Sequence, residues 1–179
     1  MAEQNYWTPI LTVYDPIKAG SIDMTDTEPH DHGIVRAMNA EYTPDPFVKG
    51  KPKRTIFIAR LNIKTDEQKL RLIFSEFGDI RSCKIIRDIV TGISRGYAFI
   101  EYESSSSAKL ACREAHEMEL EGRKIFVDHD CGRTLPGWIP RRLGGGFGGE
   151  KGSGQLRFGG KDRPFVKPIL PVTKPYSKK

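Results

Sequence analysis

The sequence predicts an α+β domain of order βαββαβ, flanked by extensions with little regular structure. Three observations carry that reading. Arg95-Gly96-Tyr97-Ala98-Phe99-Ile100-Glu101-Tyr102 alternates its side chains at the two-residue period of a strand. Ile56-Phe57-Ile58-Ala59-Arg60-Leu61 alternates in the same sense. Between and after these runs lie two segments whose apolar residues recur at helical spacing.

Taken in order, Thr55–Arg60 is a short β-rich run with Ile56 and Ile58 inward and Phe57 outward. Thr65-Asp66-Glu67-Gln68 has the capping-box form. It opens a helix carrying Leu70, Ile73, Phe74 and Phe77, which Gly78 is expected to stop in the left-handed conformation. Ile80–Arg87 is a second strand, with Cys83 and Ile85 inward and Lys84 and Ile86 outward. Asp88–Ser94, holding Thr91-Gly92, is a turn. In the third strand Ala98, Ile100 and Tyr102 suit a core, while Arg95, Tyr97, Phe99 and Glu101 face the other way. Ser105–Glu117 is a helix that buries Ala108, Ala111, Cys112 and Ala115. Lys124–His129 is the last strand, with Ile125 and Val127 inward and Lys124, Phe126 and Asp128 outward. Two helices on one face of four strands leave the other face open.

Domain boundaries follow from composition: an acidic extension over residues 1–52, the βαββαβ domain over 54–130, and a basic Gly/Pro/Arg-rich extension over 131–179. Formal charge is −4 over residues 1–52, +1 over 53–130 and +9 over 131–179, so a polyanionic partner is expected on the basic side. Within the first extension only Ile34–Tyr42 has a helical stripe, and Thr43–Lys53 reads as a linker. Nine of the seventeen residues from Gly144 to Gly160 are glycine, which disfavours helix and strand alike. Trp7, Tyr14, Ile17 and the Ile34–Tyr42 stripe suit docking on a protein, or an intramolecular collar.

Cys83, Cys112 and Cys131 have neither zinc nor C-x-x-C spacing, and the odd count fits a reducing compartment. No apolar run is long enough to span a bilayer. His30-Asp31-His32 reads as a turn or helix cap rather than a metal pair. Gly144–Gly149 satisfies a dinucleotide-loop pattern only through glycine abundance. Neither a carboxylate pair nor a nucleophile–base arrangement stands out, so no enzyme, metal or cofactor is expected.

An open sheet face bearing Tyr97, Phe99 and Phe57 beside Arg95 and Lys84 has the chemistry of a platform for unstacked bases, with cations for phosphates. The bland reading is that these rings lie beneath a covering element. Phe126 either stacks on RNA or packs under the chain that leaves the last strand.

Arg95–Tyr102 fits the RNP1 pattern of the RNA-recognition motif, a ferredoxin-like fold, with Ile100 where Val is usual. Ile56–Leu61 occupies the RNP2 position, with Arg60 where Asn is common. Further segments narrow the resemblance. Phe57–Asn62 and Gly132–Gly149 are similar to the seventy-kilodalton protein of the major spliceosome's 5′ splice-site particle. Tyr14-Asp15-Pro16, Lys18–Asp23, Pro29-His30-Asp31, Gly154–Gly160 and Asp162–Phe165 resemble instead its thirty-five-kilodalton minor-spliceosome counterpart. The resemblance implies a nuclear, RNA-binding subunit of the minor spliceosome's 5′ splice-site snRNP that grips a stem-loop of its snRNA and meets other snRNP proteins. Carried over by motif, Phe57, Tyr97 and Phe99 stack on loop bases and Arg95 holds RNA; Lys84, Arg60 and Phe126 complete the candidate RNA-binding residues of the sheet. Arg133, Trp138, Arg141 and Arg142 extend it along the stem or onto protein. Trp138 could equally be an anchor that packs on the chain itself. The alternatives are the major-spliceosome counterpart or a peptide-binding splicing adaptor of the same fold.

Overall fold

The computed structural model describes residues 11–45, 48–150, 152 and 154–169. The elements in chain order are α1 (Pro16–Gly20), α2 (His32–Asn39), β1 (Thr55–Ala59), α3 (Glu67–Phe74), β2 (Ile80–Arg87), β3 (Ser94–Tyr102), α4 (Ser105–Glu114), β4 (Glu119–Leu120), β5 (Arg123–Lys124), β6 (Phe126–His129) and α5 (Cys131–Thr134). Two units form. One is Thr43–Thr134; the other joins the described residues up to Tyr42 with those from Leu135 onward.

The central unit is an antiparallel sheet of order β2-β3-β1-β6. Its register pairs Phe57 with Phe99 across β1 and β3, Phe57 with Asp128 across β1 and β6, and Lys84 with Phe99 across β2 and β3. Alternation therefore sends Ile56, Ile58, Ala98, Ile100, Tyr102 and Val127 to one face, where each is fully buried against Leu70 and Phe74 of α3 and Ala108 and Ala111 of α4. The Tyr102 hydroxyl donates to the Phe74 carbonyl at 2.9 Å, which satisfies the one polar atom that this large ring brings inside.

Details of the helices differ from expectation. Asp66, not Thr65, caps α3, accepting from the Lys69 amide at 2.8 Å. Thr65 is buried and donates to Glu121, which also takes the Lys69 ammonium at 2.6 Å. After α3 the chain tightens into a 3-10 turn over Ser75–Phe77 before Gly78, whose φ of 148° and ψ of 179° are mirror-extended rather than left-handed helical. Glycine is needed there twice over, because a Cβ would also strike the Ser107 side chain. The second long helix, capped by Ser104, stops at Glu114. The chain then makes the small β4–β5 hairpin before β6, so the last strand expected over Lys124–His129 begins only at Phe126.

In the other unit, the flanks are irregular, as composition suggested, yet they pack together. The Tyr14 ring meets Trp138 at 5.1 Å and Phe147 at 5.4 Å, and its hydroxyl donates to the Gly146 carbonyl at 2.7 Å. The Tyr14 amide donates to the Pro136 carbonyl at 2.8 Å. Loops without a ladder still need donors for their buried carbonyls. Two arginines supply them. Arg141 reaches the carbonyls of Gln155, Phe147 and Gly148 at 2.6–2.7 Å. Arg157, with no exposed surface, serves Gly144 and Leu156 and pairs with Asp31 at 2.8 Å. Asp31 in turn caps α2 through the Ile34 amide, the capping role that its sequence position suggested. Gly144, at φ 98°, lies so close to the Gly33 carbonyl that no Cβ would fit.

Candidate nucleic-acid interface

The open face of the central sheet carries an aromatic cluster. Phe57 lies 5.8 Å from Tyr97, 5.5 Å from Phe99 and 6.3 Å from Phe126, and Tyr97 lies 6.3 Å from Phe99. All four rings are half-buried. Strand alternation aims them, and the register aligns them: Phe99 and Phe57 are direct cross-strand partners. The end of β1 is held by the Leu61 amide, which donates to the Gly96 carbonyl at 2.9 Å, and Gly96 takes φ 81° to allow this.

Cations surround the cluster. Lys84 is exposed on β2, directly opposite Phe99. Arg60, in the left-handed region at φ 61°, places its guanidinium 5.7 Å from the Phe126 centroid, a cation–π contact. Arg95 is exposed and lies 3.8 Å from Asp88. Asp88 also accepts from the amides of Val90 and Thr91 and from the Thr91 hydroxyl, which ties the β2–β3 turn together. These hydrogen bonds, with Arg95 nearby, hold the Asp88 carboxyl below the usual carboxylate range.

One end of the open face is closed. Glu101 points outward yet is buried, because its carboxylate accepts from the Lys51 amide at 3.0 Å. Arg133 joins this knot. It bonds Asp130 at 2.6 Å, the Gly50 carbonyl at 3.0 Å and Thr55 Oγ1 at 3.3 Å. Its guanidinium, expected to reach along an RNA stem, is thus tied to the protein.

The flank residues expected at the interface divide in the same way. Arg141 is committed to three backbone carbonyls, and burial lowers its pKa from the ordinary arginine value. Trp138 is packed edge-on between Tyr14 and Phe147, the anchor alternative. Arg142 alone of the three is exposed, its guanidinium 5.9 Å from the Tyr42 centroid. Tyr14, expected among residues for protein docking, is buried in the flank core, while Val35 and Met38 of α2 stay exposed. Trp7 lies outside the described residues.

The sequence reading missed His116. Its ring stands edge-on to Phe126 at 5.2 Å, and its Nδ1 accepts from the Val127 amide at 3.2 Å. It therefore props Phe126 at the sheet edge. Nothing in the periodicity of the preceding helix marks it, since it follows the end of α4.

The chain is similar to known proteins at two levels, domain and whole chain. The family model described as RNA recognition motif matches residues 56–125. The U11/U12 small nuclear ribonucleoprotein 35 kDa protein of Danio rerio is 60% identical over 163 residues, spanning 91% of this chain and 78% of that protein. The Bos taurus protein of the same name is 58% identical over 171 residues, spanning 95% of this chain and 70% of that one. The U1 small nuclear ribonucleoprotein 70 kDa of Arabidopsis thaliana is 38% identical over 126 residues, 69% of this chain and 30% of that protein.

Proposed function

Because the chain belongs to the family of U11/U12 small nuclear ribonucleoprotein 35 kDa proteins, we propose that it is a non-catalytic RNA-binding subunit of the minor spliceosome's 5′ splice-site snRNP. It acts in the nucleus, grips a stem-loop of the particle's snRNA through the open sheet face, and meets other snRNP proteins through its flanks. The observation that carries the RNA reading is the aromatic cluster of Phe57, Tyr97, Phe99 and Phe126 on a face edged by Lys84, Arg60 and Arg95. Stacking platforms of this kind hold unpaired bases, each worth roughly 1–3 kcal/mol by alanine substitution.

The residues proposed to touch RNA are those four rings with Arg60, Lys84, Arg95 and Arg142. Arg133, Arg141 and Trp138 support the scaffold instead, because their polar or apolar groups are already engaged within the protein. Ultraviolet crosslinking of the protein in nuclear extract, followed by sequencing of the attached RNA, tests the assignment. The minor-spliceosome 5′ splice-site snRNA is the expected product. Recovery of the major-spliceosome snRNA reverses it, and recovery of no RNA favours a peptide adaptor.

A further inference from the structure

The charge of the chain changes sign just before β1. Residues 1–45 carry two Lys/Arg against eight Asp/Glu, whereas residues 48–54 carry Lys49, Lys51, Lys53 and Arg54 against no acid. A run of like charges is ordinarily a solvated linker, since its members repel one another. This run is instead fastened to the end of the sheet by its backbone.

The Lys51 amide donates to Glu101 at 3.0 Å, and the Lys51 carbonyl accepts from Thr55 Oγ1 at 2.9 Å and from the Arg54 amide at 3.0 Å. Arg133 donates to the Gly50 carbonyl at 3.0 Å. Gly50 takes φ 104°, and a Cβ there would strike the Glu101 carboxylate, so only glycine lets the backbone press this closely onto β3. Beyond Lys51 the chain makes a 3-10 turn over Pro52–Arg54 beside α4. The side chains stay outside. Lys49, Lys51 and Lys53 are exposed, and among the described residues none of the three forms an ion pair. The acidic groups beneath, Glu101 and Asp130, are each only 7% exposed, and Asp130 is paired with Arg133. What faces solvent is positive.

Clusters of this kind serve nucleic-acid binding or nuclear import. Receptors of linear signals take an extended peptide largely through its main chain. Here the main-chain groups of Gly50 and Lys51 are already engaged, which disfavours that use. Phosphate needs the ammonium groups alone. Glu101 is two residues from Phe99 on β3, roughly 7 Å along the strand. That lies within the screening length of about 8 Å at physiological salt, so the run acts on RNA held by the rings. Residues 48–54 include no aromatic ring, so an unpaired base finds nothing there to stack on.

We propose that Lys49, Lys51 and Lys53 brace the RNA by its phosphates where the stem meets the bases stacked on the sheet, without regard to sequence. This rests on the platform reading above. Because the fold itself fixes the backbone, the three ammonium groups are placed without ordering a linker at binding.

The test titrates the full chain with two RNA probes between about 50 and 200 mM salt. One is tetrauridylate, which fills only the platform; the other is a hairpin with a G·C stem closed by a uridine loop. Lys49→Gln with Lys51→Gln and Lys53→Gln is expected to weaken the hairpin and lower its slope of log affinity against log salt by about two to three. Tetrauridylate affinity stays within about twofold, and the thermal midpoint is kept. Arginine at the same three positions restores the hairpin slope. A merely structural role would weaken both probes alike, and that outcome overturns the proposal, as does an unchanged hairpin slope. An unchanged slope together with exclusion of the variant from the nucleus of cells makes the run an import signal instead. Phe57→Ala with Phe99→Ala separates the two levels of the reading. If it leaves both probes bound as tightly as before, the platform reading fails and the brace with it. If it weakens both while the lysine variant keeps the hairpin slope, the platform stands and the brace falls.

Discussion

Asp31 and Arg157 stand 126 positions apart and are joined by two hydrogen bonds, at 2.8 and 3.1 Å. The same carboxylate caps α2 through the Ile34 amide, so one side chain both starts a helix and fastens two distant loops. Removing a single member of a buried pair leaves its partner uncompensated, at a cost of about 3–5 kcal/mol. Arg157→Ala is expected to destabilise the flank unit by that amount, because Asp31 loses its charged partner, keeping only the Ile34 amide as a hydrogen-bond donor, and the Gly144 carbonyl loses its guanidinium donors. Trp138 fluorescence during urea unfolding, in a Trp7→Phe background, measures it. A loss below about 1 kcal/mol would show that water replaces the guanidinium. Arg157→Lys keeps the charge without the planar fork and is expected to recover only part of the loss.

Acid acts on the same pair. Burial opposes ionisation of Asp31, but the hydrogen bonds from Arg157 and the Ile34 amide outweigh it and hold the carboxyl below its ordinary value. A carboxyl with a depressed folded pKa stabilises fully above its unfolded value, about 3.9. That contribution is lost as pH falls through the folded value. The urea midpoint read by Trp138 is therefore expected to drop more steeply below about pH 4 in the parent protein than in Asp31→Asn. Parallel curves would mean that the acid response comes from other carboxyls.

On the sheet face, Phe57→Ala with Phe99→Ala removes two stacking surfaces. The expected loss of affinity for the proposed RNA ligand is roughly 2–6 kcal/mol. Isothermal titration reads it, and a folded circular dichroism spectrum shows that the loss is not unfolding. An unchanged affinity would sink the stacking role.

Salt dependence distinguishes the flank arginines. Arg142 is exposed, whereas the Arg141 guanidinium is engaged with carbonyls of Gln155, Phe147 and Gly148. Arg142→Ala is expected to lower the slope of log affinity against log salt by about one. Arg141→Ala should leave that slope alone and lower the urea midpoint. The reverse pattern would return Arg141 to the RNA.

Gly78→Ala probes the central unit alone. At φ 148° a side chain is strained, and its Cβ would run into Ser107 at the start of α4. Strain of this kind costs about 1–3 kcal/mol. Thermal unfolding of the variant measures the loss, and an unaltered midpoint would mean that α4 shifts freely.

The sheet was legible because alternation is local: Ile56, Phe57 and Ile58, or Ala98, Phe99 and Ile100, declare their faces within three residues. The aromatic cluster followed from the same period, and so did the outward placement of Lys84. The cap of α3 was misread by one position because Thr65 and Asp66 are both good capping residues, and only the tertiary bond from Thr65 to Glu121 decides between them. The flank unit was not legible as a unit. Its contacts join residues more than a hundred positions apart, with no period to announce them. Basic composition could not separate Arg133 and Arg141 from Arg142 either. Charge counts cations, whereas the carbonyls that engage two of them appear only once the loops are closed.

The flank core is completed by partners made far apart in time during synthesis. Trp138, Phe147 and Gly146, against which Tyr14 packs, are translated more than a hundred codons after it. At about 5–20 residues per second, Asp31 waits roughly 6–25 s for Arg157 to be made. The central unit, contiguous from Thr43 to Thr134, has all its sheet partners before then. A nascent chain therefore carries a finished sheet beside an N-terminal segment whose apolar and acidic groups are still unmatched. During that interval the segment is open to chaperones and to cleavage, and a ribosome that stalls before Arg157 is made releases a chain with its central sheet complete and its flank unit unformed.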